Sequence, residues 1–229
     1  MDINITHRPS YAMAEVSLGQ NEAIVSEGGA MVTMSGDVNI ETSTMSTGSG
    51  GQKLLSGLKR MLTGESFFLN KFTSSGANGG IVTLAPTLVG DIEHVKLGDT
   101  PLLVQSSSYL AASDGVTMDT HFSGMKGFFS GESLFWIKMT GPGDLLISSF
   151  GAIFHKDIDG TFVCDTGHIA AFEEGLDFTV KKVGGWKATL LSGEGLVTEF
   201  KGKGRLYMQT HNAPAFGQML GKMLPPRKG

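Results

Sequence analysis

Several features that would narrow the function are missing from this chain of 229 residues. Its one cysteine, Cys164, excludes an intrachain disulfide. The longest apolar run, "LLISSFGAIF", is about half of the roughly 20 residues that a membrane-spanning helix needs. The first ten residues, "MDINITHRPS", have neither the basic region nor the apolar region of a secretory signal. We therefore expect a cytoplasmic protein.

Charge of either sign is also scarce. Charged residues make up 17% of the chain, and the net charge is −4. Proteins that bind nucleic acid usually have a surplus of Lys and Arg, because those side chains neutralise phosphates. We therefore expect no nucleic-acid partner.

The sequence also lacks recognisable catalytic and cofactor motifs. It contains no glycine-rich phosphate loop, no G-x-S-x-G elbow and no paired-cysteine zinc spacing. Cys164 and His168 are four residues apart in an extended segment, so they could form a nucleophile pair only if "DTG" turns the chain between them. Otherwise Cys164 is a small buried apolar residue. We expect no enzyme activity, no catalytic residues, no metal and no cofactor.

Glycine, in contrast, is abundant: 33 residues, against 7 prolines. Many glycines in a chain of ordinary complexity indicate many turns between short strands. One phrase occurs three times: a Gly-Glu pair, an apolar run, a glycine-rich turn and a second apolar run. The repeated turn motif consists of Gly64, Glu65, Gly131, Glu132, Gly193 and Glu194.

The repeated pair has two interpretations. Glycine accepts a positive φ, and the glutamate beside it can cap backbone amides or face solvent, so the motif can be one turn used three times. Alternatively, Glu65, Glu132 and Glu194 converge as a ring of carboxylates. The repeats also align His94 with His155, but the third repeat has no matching histidine, which disfavours a three-histidine metal site.

The spacing of the repeats predicts the architecture. Apolar and polar residues alternate with period two in the runs, as expected for sheets with one buried face. We predict an all-β fold of three similar double-sheet units around a pseudo-threefold axis, with one or two short helices. The predicted segments are 1–95, 96–157, 158–212 and a tail at 213–229.

Two segments have the spacing of short amphipathic helices. One is an insertion in the first repeat, near 51–62. The other is the tail, which Asn212 could cap and which Pro214 could begin. Its apolar residues are candidates for an intermolecular contact: Phe216, Met219, Leu220, Met223 and Leu224.

The phrases "LKRMLTGESFFLNKF" and "GFFSGESLFWIKM", together with "LYMQTHN" near the end, resemble a bacterial and archaeal family of unknown function. That family is related to the eukaryotic altered-inheritance-of-mitochondria proteins of mitochondrial biogenesis. The resemblance covers about residues 10–212. It implies three β repeats with a fold like that of the trp RNA-binding attenuation protein subunit. It implies no catalytic residues, and a shared fold does not transfer RNA binding.

Two functions from different classes are consistent with these observations. The first is a non-enzymatic structural or interaction module: a scaffold for protein partners, for membrane organisation through peripheral contact, or for its own copies as a homo-oligomer. The alternative is a small-ligand-binding protein or cryptic enzyme with a site between the β repeats, where clefts form.

Overall fold

The computed structural model describes residues 1–44, 68–121, 136–182 and 196–225. The described strands, in chain order, are β1 Asp2–Thr6, β2 Met13–Leu18, β3 Ala23–Glu27, β4 Met31–Gly36, β5 Val38–Thr44, β6 Phe68–Ser74, β7 Gly80–Leu84, β8 Ile92–Leu97, β9 Leu102–Gln105, β10 Tyr109–Ser113, β11 Thr117–His121, β12 Trp136–Thr140, β13 Gly143–Ser148, β14 Ile153–Asp165, β15 Ile169–Glu173, β16 Leu176–Lys182 and β17 Leu196–Gln209. Within these ranges one α-helix, α1, spans Ala213–Met223. The predicted all-β class is confirmed.

The strands form three antiparallel sheets. The first has the order β1-β2-β7-β4, and the second has the order β5-β6-β3-β10-β13-β8. The third has the order β11-β12-β9-β15-β17-β14, and β16 also pairs with β17. Alternate residues of a strand face the core. In β2, for example, Ala14, Val16 and Leu18 are buried, whereas Glu15 is exposed.

Three apolar clusters fill the interior. The first lies between the first and second sheets and includes Val16, Val82 and Leu146. The second lies between the second and third sheets, where Tyr109 and Leu145 pack with Val104. The third lies within the third sheet, so this sheet must curl over its own face to bury those side chains.

The strands of the third sheet differ from the sequence prediction. The sequence pattern predicts a hairpin turn at "DIDG" (157–160) and a glycine turn at "KGKG" (201–204). Both expectations are wrong, because β14 and β17 run through these segments as continuous strands with Gly160 opposite Gly202. Gly160 has φ +118° and Gly202 has φ +123°. Two opposed glycines let the ribbon bend where other residues would be strained, which explains how the sheet curls.

Three strands have the same irregularity. The register shifts by one residue between Met31 and Thr33 in β4 and between Tyr109 and Ala111 in β10. It shifts in the same way between Ile169 and Ala171 in β15. Each bulge inserts one extra residue and increases the local twist.

Candidate interaction surfaces

Strand β4 is an exposed, apolar edge of the first sheet. Its inner edge pairs with β7, and no described strand pairs with its outer edge. Val32 is 52% exposed, and Met31 and Met34 are each 40% exposed. Exposed apolar edges recruit other strands, and proteins normally protect them with charge, proline or a covering element. No residue of "MVTMSG" provides that charge or proline.

The comparison with β10 and β15 shows that this exposure is unusual for the position. Val32 is the extra residue of the bulge in β4, and Leu110 and Ala170 are the extra residues in β10 and β15. Leu110 and Ala170 are both 0% exposed. Strand β4 therefore has the sequence of an interior strand at the edge of its sheet.

The third sheet also ends in a partly apolar edge, formed by β14. This strand pairs with β17, and no other strand of the described ranges pairs with it. Near its C-terminal end, Val163 is 51% exposed. Phe162 and Cys164 beside it are half-buried against the third cluster.

Cys164 does not have the environment of a nucleophile. Burial, with a smaller contribution from the neighbouring Asp165, raises the pKa of its thiol to about 12. A thiol in this state is almost entirely protonated at neutral pH, and the thiolate is the reactive species. The Nδ1 atom of His168 lies 2.8 Å from the backbone oxygen of Gln209, so this nitrogen does not contact the Cys164 thiol. The structure therefore favours the interpretation of Cys164 as a small apolar residue.

A cavity of about 240 Å³ lies where the three sheets approach one another. It is lined by the end of β3, by the segment after β7 and by the ends of β13 and β17. The lining residues include Glu27, Ser107, Ser148, Phe150 and Gln209. The amide of Gln209 is already engaged, since its Oε1 accepts from the Phe150 amide and its Nε2 donates to the Gly167 carbonyl.

Glu27 is the titratable residue of this cavity. Its carboxylate is half-buried and receives no hydrogen bond or ion pair from the described parts of the chain. Burial raises its pKa to about 7. Sequence reasoning missed Glu27, because a single acidic residue at the end of "AIVSE" looks like any solvent-facing residue before a glycine turn.

Helix α1 presents the predicted apolar tail to solvent. Asn212 caps the helix as predicted, since its side chain accepts a hydrogen bond of 3.1 Å from the Ala215 amide. Phe216 contacts the β body through the ring of Phe150, at 5.2 Å between centroids. The remaining apolar residues of the tail are exposed: Met219, Leu220, Met223 and Leu224.

Other sequence candidates have separate positions. The six residues of the Gly-Glu turn motif and the predicted helix near 51–62 lie outside the described residues. His94 Nε2 lies 2.6 Å from Asp144 Oδ1, on the second sheet. Within the ranges that the structure describes, no three His, Cys, Asp or Glu residues are grouped so that they could hold a metal ion. Nor does any described helix have the length and apolar character to span a membrane.

Residues 3–211 match the family described as mitochondrial biogenesis AIM24. The chain belongs to this family. It is similar to an uncharacterized protein of Streptococcus pyogenes serotype M6, with 30% identity over 98% of this chain and 92% of that protein. It is also similar to the X-ray crystal structure of protein SPYM3_0169 from Streptococcus pyogenes, with a TM-score of 0.81 and 26% identity. That match covers 97% of this chain and 99% of the other. The family resemblance found in the repeated phrases is confirmed, since the family match extends over nearly the whole chain.

Proposed function

We propose that this AIM24 protein is a non-enzymatic structural module that associates with its own copies through strand edges. The observation that carries the proposal is the exposure of β4, whose Val32 is open to solvent where Leu110 and Ala170 are fully buried. Proteins seldom leave an apolar edge of this kind uncovered in water, because it recruits strands of other chains. A second copy is always present at the same concentration as the first.

We further propose that the chain consists of three repeated β units. Strand pairing supports this, since β2-β7-β4, β8-β13-β10 and β14-β17-β15 each have one central strand between two antiparallel partners. Their registers also match: Leu18 lies opposite Gly80, and Leu97 lies opposite Gly143. In the third set a continuous ribbon takes the place of two separate strands. Repeated units with exposed apolar strand edges favour assembly, rather than catalysis, as the role of this fold.

Light scattering coupled to size-exclusion chromatography tests the proposal. A monomer has a mass of 24.2 kDa. We expect a larger, concentration-dependent mass for the wild type and a shift toward 24.2 kDa for Val32→Lys, which places a charge on the β4 edge. Thr179→Lys, an exposed position on β16 and not on β4 or β14, is the matched control and should leave the mass unchanged. A monomeric wild type at all accessible concentrations would contradict the proposal.

A second candidate function is small-ligand binding in the cavity beside Glu27. The half-buried carboxylate without a described partner favours a small cationic ligand, such as a primary amine, because an opposite charge would satisfy it. Thermal-shift titration with ethylamine and ethanolamine tests this function. Binding to the wild type that is lost in Glu27→Gln supports it, and equal shifts in both proteins contradict it.

A further inference from the structure

Two pairs of strands connect neighbouring parts of the β structure, and we call them the internal seams: β3 with β10, and β9 with β15. In the first internal seam, Ala111 lies opposite Ser26 and Ala112 lies opposite Val25. Ala111 is the residue that directly follows the bulge of β10. This seam therefore begins at the first residue after the bulge.

The second internal seam has the same register. Ala171 lies opposite Val104, and Phe172 lies opposite Leu103. Ala171 directly follows the bulge of β15, as Ala111 follows that of β10. All four residues of these two pairs are buried. The same strand register, counted from the bulge, thus occurs in both internal seams.

The described residues include one more strand of each type. Strand β4 has the bulge, so Thr33 has the position of Ala111 and Ala171. Strand β14 ends at Asp165, directly before a short 3-10 turn, as β9 ends directly before the turn at Ser106–Ser108. Counting back from the turn, Cys164 has the position of Val104, and Val163 has that of Leu103. In the described residues these two edges do not pair with each other.

We propose that the C-terminal end of β14 in one copy pairs antiparallel with β4 of a second copy, following the register of the internal seams. Thr33 then lies opposite Cys164, Met34 opposite Val163, and Ser35 opposite Phe162. This inference rests on the proposed function and specifies its contact. Because the described parts of each chain provide one edge of each kind, the contact is head-to-tail, and repetition gives a ring or an open filament.

The chemistry of the central pair supports this register. Met34 and Val163 are both apolar and exposed, at 40% and 51%. The corresponding pair of the second internal seam, Phe172 and Leu103, is apolar and buried. In the proposed contact Met34 and Val163 cover each other. A register shift of one residue would place Met34 opposite Cys164 or Phe162. The exposed apolar side chains of the two strands would then no longer lie on the same face of the sheet.

The lone cysteine provides a direct test. Directly opposed residues in an antiparallel pair have Cα atoms about 4.5–5.5 Å apart, within the range that disulfides span. We expect Thr33→Cys, oxidised with copper phenanthroline, to form covalent dimers and larger species on a non-reducing gel. The wild type, with Cys164 alone, and Thr33→Cys combined with Cys164→Ser should remain single chains. Met34→Cys, whose side chain points to the opposite face, should cross-link much more weakly.

The outcomes distinguish this inference from the proposed function. Dimers and larger species confirm the head-to-tail register, whereas dimers of the wild type would indicate a symmetric β14 contact and contradict it. A disulfide within one chain would also contradict it. If Thr33→Cys does not cross-link but light scattering shows an oligomer, the register is wrong and the proposed function stands. A monomeric protein contradicts both.

A second measurement does not depend on the reactivity of the Cys164 thiol. Met34→Lys and Val163→Glu each place an uncompensated charge in the proposed contact, and we expect each to weaken self-association about tenfold or more. The two substitutions together place opposite charges directly across the strands, so the double variant should recover much of the association. Additive losses in the double variant would contradict the proposed register.

Discussion

Arg8 donates two hydrogen bonds to the carboxylate of Asp91, from Nε to Oδ1 at 2.8 Å and from Nη2 to Oδ2 at 3.0 Å. Arg8 follows β1 of the first sheet, and Asp91 precedes β8 of the second. The side chain of Asp91 is 4% exposed, whereas that of Arg8 is 44% exposed. A bidentate pair therefore fastens the first sheet to the second through a buried carboxylate.

Replacing Arg8 by Ala should destabilise the fold by about 1–3 kcal/mol, because the buried carboxylate of Asp91 then keeps, within the described residues, only the hydrogen bond from the Ile92 amide. Arg205→Ala is the matched control, since Arg205 forms a similar pair with the exposed Asp157. Urea unfolding should show a much smaller change for the control. Equal losses in the two variants would show that burial of Asp91 is not the reason.

The cavity carboxylate should make stability depend on pH. Burial raises the pKa of Glu27 from 4.5 to about 7. Between about pH 4.5 and 7, the folded protein therefore keeps a proton on Glu27 that the unfolded chain has released. The stabilisation that is fully present below about pH 4.5 is lost as the pH rises through 7. Glu27→Gln should gain about 1–3 kcal/mol relative to the wild type between pH 4.5 and 7.5.

Chemical unfolding at these two pH values measures that gain. Glu41→Gln, which removes an exposed carboxylate on β5, reports on the general effect of changing the net charge. A constant difference between Glu27→Gln and the wild type across this pH range would contradict the raised pKa.

The two opposed glycines of the bent ribbon should differ in their tolerance of a side chain. A Cβ at Gly202 would lie 2.6 Å from the backbone oxygen of Gly175, whereas one at Gly160 would meet nothing within 4 Å. Gly160→Ala should cost about 1 kcal/mol from backbone strain alone. Gly202→Ala should cost about 2–4 kcal/mol, because a steric clash is added. Thermal denaturation of the two variants gives this ranking, and the reverse order would contradict it.

Truncation after Asn212 should leave the β fold intact and weaken self-association or partner binding. Helix α1 contacts the body mainly through Phe216 and Phe150, so little of the core depends on it. Circular dichroism and light scattering on the truncated chain measure the two effects separately. An unfolded product would show that the tail belongs to the core. Unchanged mass and unchanged partner recovery would show that it makes no intermolecular contact.

Local patterns in the sequence were sufficient for the fold class and for the cap of the tail helix. Alternation with period two predicts strands such as β11 ("VTMDT") and β16 ("LDFTV"), because side chains point to opposite faces of a strand whatever it pairs with. Asn212 predicts a helix start for an equally local reason, since its side chain bonds an amide three residues away. The repeated phrases also sufficed to identify the AIM24 family.

The tertiary structure decided features that depend on distant partners. "KGKG" permits either a turn or a bend, and only the pairing of Gly202 with Gly160 distinguishes them, since both conformations use a positive φ. Likewise, Val32 in "MVTMSG" is as apolar as Leu110 in "YLAAS". One is exposed and the other buried because β10 has strands on both edges and β4 has a described strand on one. Which strand occupies the second edge is a long-range property, and no local pattern in the sequence encodes it.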